Sequence, residues 1–336
     1  MKKKVSIITL NGYSNYGNRL QLFALSDVVS SLGCDVSVVW PQKVSKMIKG
    51  LIKRSPIFRS FFKKEYKLWR FTKKYVVNND DKNEEYVIVG SDQVWNPEYI
   101  AKNSYLVPKD KKNKISYAAS MGVDDLQLDQ KRFFSNMISD FIAISVREQS
   151  AKKILQPLTN KEIEVVLDPT LLISKRQYES IEEKPEKLPD NEKYILCYIL
   201  GNRDHEEKIE KFAKEKGYKT IYFSDKRDSD YGVEEFLYLI HHAQLICTDS
   251  FHACVFSFIF ERPFVAFKRT GEANYMYTRL QNLIDTFKLK NREFNGKEIT
   301  KENLEVDYTE AKKILKKEQK KSLDFLKRAL DIKDEN

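Results

Sequence analysis

Residues 243–267, AQLICTDSFHACVFSFIFERPFVAF, restrict the fold more than any other stretch of this chain. Leu245 to Cys247 is a short apolar run that breaks at Thr248-Asp249-Ser250, and a second apolar run, Ala253 to Phe260, is long enough for more than two helical turns. Glu261-Arg262-Pro263 stops that run, and Phe264 to Phe267 reads as another buried strand. Strand, polar turn, helix and strand in this order make one unit of a parallel α/β sheet. In such sheets ligands collect beyond the carboxyl ends of the strands, where helix N-termini direct free N–H groups outward. Thr248, Asp249, Ser250 and His252 fall at that point. Thr, Asp and Ser ahead of an apolar run are first of all helix caps. A histidine among them is a candidate acid or base, because imidazole titrates near neutrality.

The same alternation runs through the N-terminal half. Val5 to Leu10 reads as a strand and Asn18 to Leu32 as a helix closed by Gly33. The loop between them, Asn11 to Gly17, holds two glycines but is not G-x-G-x-x-G, so no dinucleotide site is expected. Glycine there still lets backbone approach a ligand, and amides at a helix start favour anions. Arg19 puts a cation beside the positive end of that helix. Tyr86 to Val89 is a strand ending in Gly90-Ser91-Asp92-Gln93-Val94-Trp95-Asn96-Pro97, which sets Asp92 at a strand end as His252 is in the other half. Ile115 to Ala118 and Phe141 to Val146 are further strands, separated by a helix over 124–139. Ser145 and Glu148 have capping-box spacing, which predicts a helix starting there with Arg147 in its first turn. A cation so placed costs a few tenths to about 1 kcal/mol unless an anion lies near, which makes Arg147 an anion-binding candidate. Val165 to Leu167 is a strand ending at Asp168-Pro169-Thr170.

Residues 174–193 are charged, hold Pro185 and Pro189 and lack periodicity, and read as an interdomain linker. Tyr194 to Leu200 then restarts the alternation. It is followed by a helix over 204–216 ending at Gly217, a strand over Tyr218 to Phe223, and a helix over Val233 to His242. His241 and His242 end that helix, where cations suit the dipole, and are read as structural. His205 lies in a charged turn. Asp307 and Glu310 open a lysine-rich C-terminal helix with Leu315, Leu323, Leu326 and Leu330 as its apolar stripe. No His, Cys, Asp and Glu set has metal-ligand spacing, so no structural zinc is expected; no other metal and no cofactor is expected either.

A chain of 336 residues is long enough for two domains with real cores. Its net charge of +10 is concentrated in 45–76, where eleven Lys and Arg face one Glu. Apolar residues repeat there at three- and four-residue spacing, and Pro56 divides the pattern into two basic amphipathic helices. Such helices with Phe and Trp on the apolar side can lie on an anionic membrane, or can present a solvated basic face over a core-facing stripe. No nucleic-acid motif accompanies the charge. The opening Met1-Lys2-Lys3-Lys4 has too short an apolar run behind it for a signal peptide, and no run approaches bilayer length. Cys34, Cys197, Cys247 and Cys254 sit in or beside apolar runs without C-x-x-C spacing, as buried thiols in a reducing compartment would. The expectation is a cytoplasmic protein, peripheral on the inner membrane face if 45–76 touches lipid.

TDSFHACVFSFIFERPFVAF (248–267) resembles the C-terminal signature of the polysaccharide pyruvyl transferase family. NGYSNYGNRLQLFAL (11–25), VIVGSDQVWNP (87–97), YAASMG (117–122), ISVREQSAKKIL (144–155) and VLDPTLLI (166–173) fit the same family in the same order. The alternation itself gives an α/β architecture of two Rossmann-like domains, and the resemblance implies that they face each other across a cleft as in GT-B glycosyltransferases. The acceptor side is then 1–175, the donor side 190–305, and 306–336 a C-terminal helix. The implied reaction transfers a pyruvate ketal from phosphoenolpyruvate to two hydroxyls of a sugar in a cell-surface glycan or its lipid-linked precursor. His252 is the expected proton carrier, with Asp92 second. Arg147, Thr248, Ser250, Lys268 and Arg279 are expected at the donor, and Asn15, Tyr16, Asn18, Arg19, Gln93 and Trp95 at the acceptor. Some family members have Arg two residues before the histidine, where this chain has Ser250. Two rival readings stand beside this one: a nucleotide-sugar glycosyltransferase on the same fold, and a non-catalytic membrane-surface scaffold of glycan assembly.

Overall fold

The computed structural model describes residues 2–13, 15–39, 63–76, 84–223, 230–269 and 277–333. The first of the two expected basic helices, with all of 45–62, lies outside the described residues. The chain divides into two compact units. One comprises Met1–Phe62, Trp69–Ile173 and Lys317–Asn336, the other Lys63–Leu68 and Ser174–Lys316.

In chain order the first unit contains β1 (Lys4–Ile8), α1 (Tyr16–Ser31), β2 (Asp35–Val38), the end of α2 (Lys63–Tyr75), β3 (Tyr86–Asp92), α3 (Pro97–Lys102), β4 (Lys114–Ala119), α4 (Leu128–Ser139), β5 (Phe141–Val146), α5 (Gln149–Leu155) and β6 (Ile163–Val165). Its six strands are parallel, in the order β2-β1-β3-β4-β5-β6. Val5, Ile7, Val87, Ile88, Val89, Ile115 and Ile144 are buried, as expected of a parallel sheet covered on both faces. The strand order reverses between β1 and β3, the kind of position at which open parallel sheets bind ligands.

Among the helix starts that differ from the sequence reading, two bear on the site. α1 begins at Tyr16 because the Asn15 side chain accepts from the Asn18 backbone N–H at 3.0 Å. Tyr16, Asn18 and Arg19 are therefore all within its opening turn, and all buried. Gly33 ends it at φ +84°. α5 starts at Gln149, not at Ser145, because Ser145 belongs to β5. Its hydroxyl donates to the Ser116 carbonyl at 2.9 Å and accepts from the Ala118 N–H at 3.2 Å, so sheet bonding replaces the capping box. Arg147 thus precedes the helix, and the dipole argument for an anion beside it falls. In the last part of α2, Phe71 is fully buried with its ring edge-on to Phe23 at 5.9 Å.

The second unit contains α6 (Lys175–Glu179), β7 (Tyr194–Tyr198), α7 (Glu206–Lys216), β8 (Lys219–Tyr222), α8 (Val233–His242), β9 (Leu245–Thr248), α9 (Phe251–Ile259), β10 (Phe264–Ala266), α10 (Tyr277–Thr286) and the start of α11 (Thr309–Ala329). Its strands are parallel in the order β10-β9-β7-β8, reversing between β7 and β9. Gly217 caps α7 in the left-handed region, as its position predicts. At the start of α2, Lys63 pairs with Asp230 at 2.8 Å and Lys67 with Glu235 at 2.6 Å.

Residues 174–193 are not a bare linker. α6 carries a capping box from Ser174 to Gln177 and buries Tyr178, whose ring meets Phe256 edge-on at 4.9 Å. Just beyond it, burial would raise the Glu182 carboxyl, but hydrogen bonds from His241 and His242 outweigh that and hold it at about 2. α11 is shared. Its later part fixes the first unit, where the Ser322 hydroxyl accepts from the Leu167 N–H at 2.9 Å and Phe325 packs on Tyr117. Leu326 and Leu330 of its stripe are buried, while Leu315 and Leu323 are half-buried. All four cysteines are buried and free. Among the described residues, no helix is long and apolar enough to cross a membrane.

Candidate functional site

At the β1/β3 reversal of the first unit, five sequence motifs meet in one buried polar network. Asp92 ends β3 with φ 68° and accepts from the Asn18 side-chain amide at 3.2 Å. Its other oxygen lies 3.7 Å from the Arg147 guanidinium. Arg147 donates to Asp168 at 2.7 Å and stands 3.7 Å from Glu148. Asp168 also accepts from the Thr170 N–H at 3.0 Å, the Thr170 hydroxyl at 2.7 Å and the Ser91 hydroxyl at 3.3 Å. Glu148 accepts from the Ser120 hydroxyl at 2.9 Å and the Met121 N–H at 3.0 Å, which fixes the loop after β4. Gln21 closes the set by donating to Thr9 at 3.0 Å and accepting from the Ser91 N–H at 3.1 Å.

Charge in this network is nearly balanced within itself. Burial works against the Arg147 cation, but Asp168, Asp92 and Glu148 more than offset it and raise its pKa. Arg19 donates to the Leu10 carbonyl at 2.7 Å and to the Asn18 side chain, and its guanidinium stacks over the Tyr13 ring at 5.4 Å. Burial lowers the Arg19 pKa to about 10, against the pull of Tyr13, Tyr105 and Asp92. Arg147 was expected to meet a donor anion, and in the structure it stands among the carboxylates of Asp168, Asp92 and Glu148. In this geometry it orients Asp92.

At the β7/β9 reversal of the second unit, Asp249 bridges two strand ends. Its carboxylate accepts from the Leu200 N–H at 2.8 Å and the Gly201 N–H at 2.7 Å, and takes Arg269 Nε at 3.0 Å. A Cβ on Gly201 would stand 3.0 Å from Asp249 Oδ2, so the close approach needs glycine. The Thr248 hydroxyl donates to the Tyr198 carbonyl at 2.5 Å and accepts from the Ser250 N–H at 3.0 Å. Ser250 is the N-cap of α9 and accepts from the Ala253 N–H at 3.5 Å. Both hydroxyls thus serve the backbone, as helix caps do. His252 is the second residue of α9, buried, with its ring edge-on to Phe251.

The chain matches the family model described as polysaccharide pyruvyl transferase over residues 15–270. It belongs to that family. A search of curated proteins gives no match. Solved structures similar to the chain include UDP-GlcNAc 2-epimerase from Methanocaldococcus jannaschii, at 13% identity and TM-score 0.45 over 93% of this chain and 92% of that one. A glycosyltransferase from Rickettsia africae gives 14% identity and TM-score 0.43 over 98% and 95%. A functionally uncharacterised protein of Klebsiella pneumoniae gives 13% and 0.41 over 89% and 93%. At these TM-scores, neither chemistry nor residue roles transfer from them.

The pyruvyl transferase motifs coincide with the two switch points, and this sorts the expected residues. Asp92, Arg147, Asn18 and Arg19 come together in the first unit. Gln93 is buried beside Gly122, where a Cβ would stand 2.9 Å from its amide. Trp95 is a core residue instead of an acceptor contact: it is fully buried, edge-on to Phe141 at 5.6 Å and Phe134 at 6.5 Å. Tyr16 is likewise fully buried, and Asn15 is an exposed cap. Lys268 is exposed and 3.8 Å from Glu293, while Arg279 is buried on α10. Asp168, Glu148 and Gln21 were missed, although each lies inside a motif quoted for the family. Asp249 was placed at the strand end with His252, but its bridging of the Leu200 and Gly201 amides was not foreseen. A cavity of about 590 Å³ in the second unit is lined by Asn291, Arg292 and Asn303 among others, and contains none of the expected site residues.

Proposed function

We infer that the protein transfers a pyruvate ketal from phosphoenolpyruvate to a sugar of a cell-surface polysaccharide or its lipid-linked precursor. Family membership supports the reaction class. The observation that carries the residue assignment is that both acid/base candidates, Asp92 and His252, stand at sheet switch points, Asp92 held by Asn18 and Arg147. Phosphoenolpyruvate carries a phosphate and a carboxylate, for which the α9 N-terminus, Arg269, Lys268 and Arg279 offer amides and cations. Addition of a sugar hydroxyl to the enol carbon needs a proton delivered to the methylene and one removed from the hydroxyl. Departure of inorganic phosphate and attack of the second hydroxyl then close the ketal. His252 is assigned the proton transfer at the donor, and Asp92 that at the acceptor hydroxyl. Arg147 holds Asp92 in place, and contributes to donor binding only through that contact.

Acceptors attached to lipid would place the enzyme at the cytoplasmic membrane face. The exposed cations Arg70, Lys73 and Lys74 of α2 fit an anionic surface. The test incubates the protein with phosphoenolpyruvate and a panel of lipid-linked glycans, following phosphate release and pyruvylated product. Thermal stabilisation by UDP-sugars but not by phosphoenolpyruvate, with glycosyl transfer in place of ketal formation, would overturn the assignment.

A further inference from the structure

His241 and His242 end α8, and Glu182 lies just after α6, 59 residues earlier than His241. The fold brings them together in the second unit. Glu182 stands 3.0 and 3.2 Å from His241 Nδ1 through its two oxygens, and 3.2 Å from His242 Nε2. One ligand atom from each of the three residues lies within 4.8 Å of the others. Ligands of a tetrahedral zinc ion, at bonds of about 2.0–2.2 Å, stand roughly 3.3 Å apart. The two Glu–His spacings already match that separation.

We propose that Glu182, His241 and His242 form a site for one late first-row divalent cation, zinc foremost. Each ring is held in place before any ion arrives. His241 stacks on Phe260 at 4.5 Å and 17°, and His242 on Tyr238 at 4.1 Å and 26°. The other nitrogen of His241, Nε2, faces Glu179 at 3.7 Å. A carboxylate behind the imidazole is the outer-shell partner that orients a metal-bound histidine and raises its basicity. Two imidazole nitrogens and one carboxylate oxygen suit zinc, cobalt or nickel, whereas magnesium and calcium prefer oxygen alone. The His241 and Glu182 side chains are each 13% exposed and His242 is 40% exposed, so an ion has a solvent route and room for a water as fourth ligand.

The site takes no part in ketal transfer. α8 feeds the amino end of β9, whereas Thr248, Asp249 and Ser250 lie at the carboxyl end of the same strand. A bound ion clasps the segment after α6 to the end of α8 and stabilises the second unit. This departs from the expectation of no metal, which rested on spacing along the chain.

The test uses untagged full-length protein stripped with chelator. Calorimetric titration with zinc should give about one equivalent bound, and zinc but not magnesium should raise the melting temperature. His242→Gln and Glu182→Gln, both folded in chelator by circular dichroism, should lose at least tenfold in zinc affinity. Equal zinc binding by wild type and by the His241→Gln/His242→Gln double variant would overturn the proposal, as would no binding by wild type. Should the double variant fail to fold, cobalt-loaded wild type decides. A d–d spectrum without thiolate charge transfer supports the site, and a thiolate band moves the ion to cysteine and overturns it.

Discussion

Arg147 donates to Asp168 at 2.7 Å in a part of the first unit where both side chains are almost wholly buried. The pair connects the loop after β5 to the turn after β6, and through the second guanidinium nitrogen it reaches Asp92. Breaking a buried pair by removing one partner leaves an uncompensated charge and costs about 3–5 kcal/mol. Asp168→Ala should therefore lower stability by that order, read from urea denaturation. Arg147→Lys keeps the charge but not the planar fork, and should lower kcat with little change in donor KM. A raised donor KM at unchanged kcat would return Arg147 to direct donor binding.

Two glycines give expectations of very different size for the same substitution. Gly90 has φ +144°, and a Cβ there would stand 2.0 Å from the Tyr117 carbonyl oxygen on the neighbouring strand. Neither central strand can move aside, so Gly90→Ala should cost about 4 kcal/mol or more. Gly33 has φ +84° with nothing within 4 Å of the added carbon. Gly33→Ala should cost only about 1 kcal/mol of backbone strain. Comparable unfolding midpoints for the two variants would refute the steric account.

Asp249 joins the ends of β7 and β9 through two backbone N–H groups and Arg269. Hydrogen bonds to a charged group contribute about 1.5–3 kcal/mol each. Asp249→Asn keeps one acceptor oxygen and turns an amide NH₂ toward the other donors, so a loss of about 2–5 kcal/mol is expected. The same variant should weaken donor binding by releasing Arg269. A variant as stable as wild type would show that the Leu200 and Gly201 amides do not depend on the carboxylate.

The strands were legible because parallel sheets bury both faces and write themselves as apolar runs, as in Val87 to Val89 or Leu245 to Cys247. Both switch points were legible for the related reason that Asp92 and His252 follow such runs. The partners were not. Asp168 is 21 residues from Arg147, and no local pattern records that a carboxylate will meet a guanidinium across two strands. The Ser145 capping box misled because cross-strand bonds to Ser116 and Ala118 outcompete a helix start. Residues 174–193 looked like linker since α6 is only five residues long and rests on one buried tyrosine, Tyr178. Trp95 was expected at the acceptor from its motif, and an aromatic after a strand end carries no sign of which way it packs.

His252 lies in the first turn of α9 beside the Ser250 cap. If it moves the proton at the donor, His252→Gln should reduce phosphate release by about 10²–10⁴-fold, the usual worth of a positioned acid or base. Donor KM should change only severalfold, and the melting temperature should stay near that of wild type. Turnover within a few-fold of wild type would remove His252 from the mechanism.

Two of the cations in 45–76 are engaged within the protein. Lys63 and Lys67 pair with Asp230 and Glu235, and Phe71 packs on Phe23 within the protein. Reversing those lysines would break ion pairs as well as any lipid contact, and would not separate the two effects. Arg70, Lys73 and Lys74 are exposed at spacings of three and four residues, so they share one face of α2. Lys73 also lies 4.7 Å from the Trp69 ring, a contact that its reversal would lose at small cost. Each cation near an anionic leaflet contributes on the order of 1 kcal/mol, which salt screens within about 8 Å at physiological strength. Changing all three to Glu should then weaken partitioning onto phosphatidylserine vesicles by about 100-fold or more at low salt, since three attractions of that order become repulsions. Stability and turnover on a water-soluble acceptor should hold, while turnover on a lipid-linked acceptor falls. If wild type fails to float with those vesicles at low salt, or floats no better than the triple variant, α2 is a solvated basic face over a core-packed stripe and makes no membrane contact.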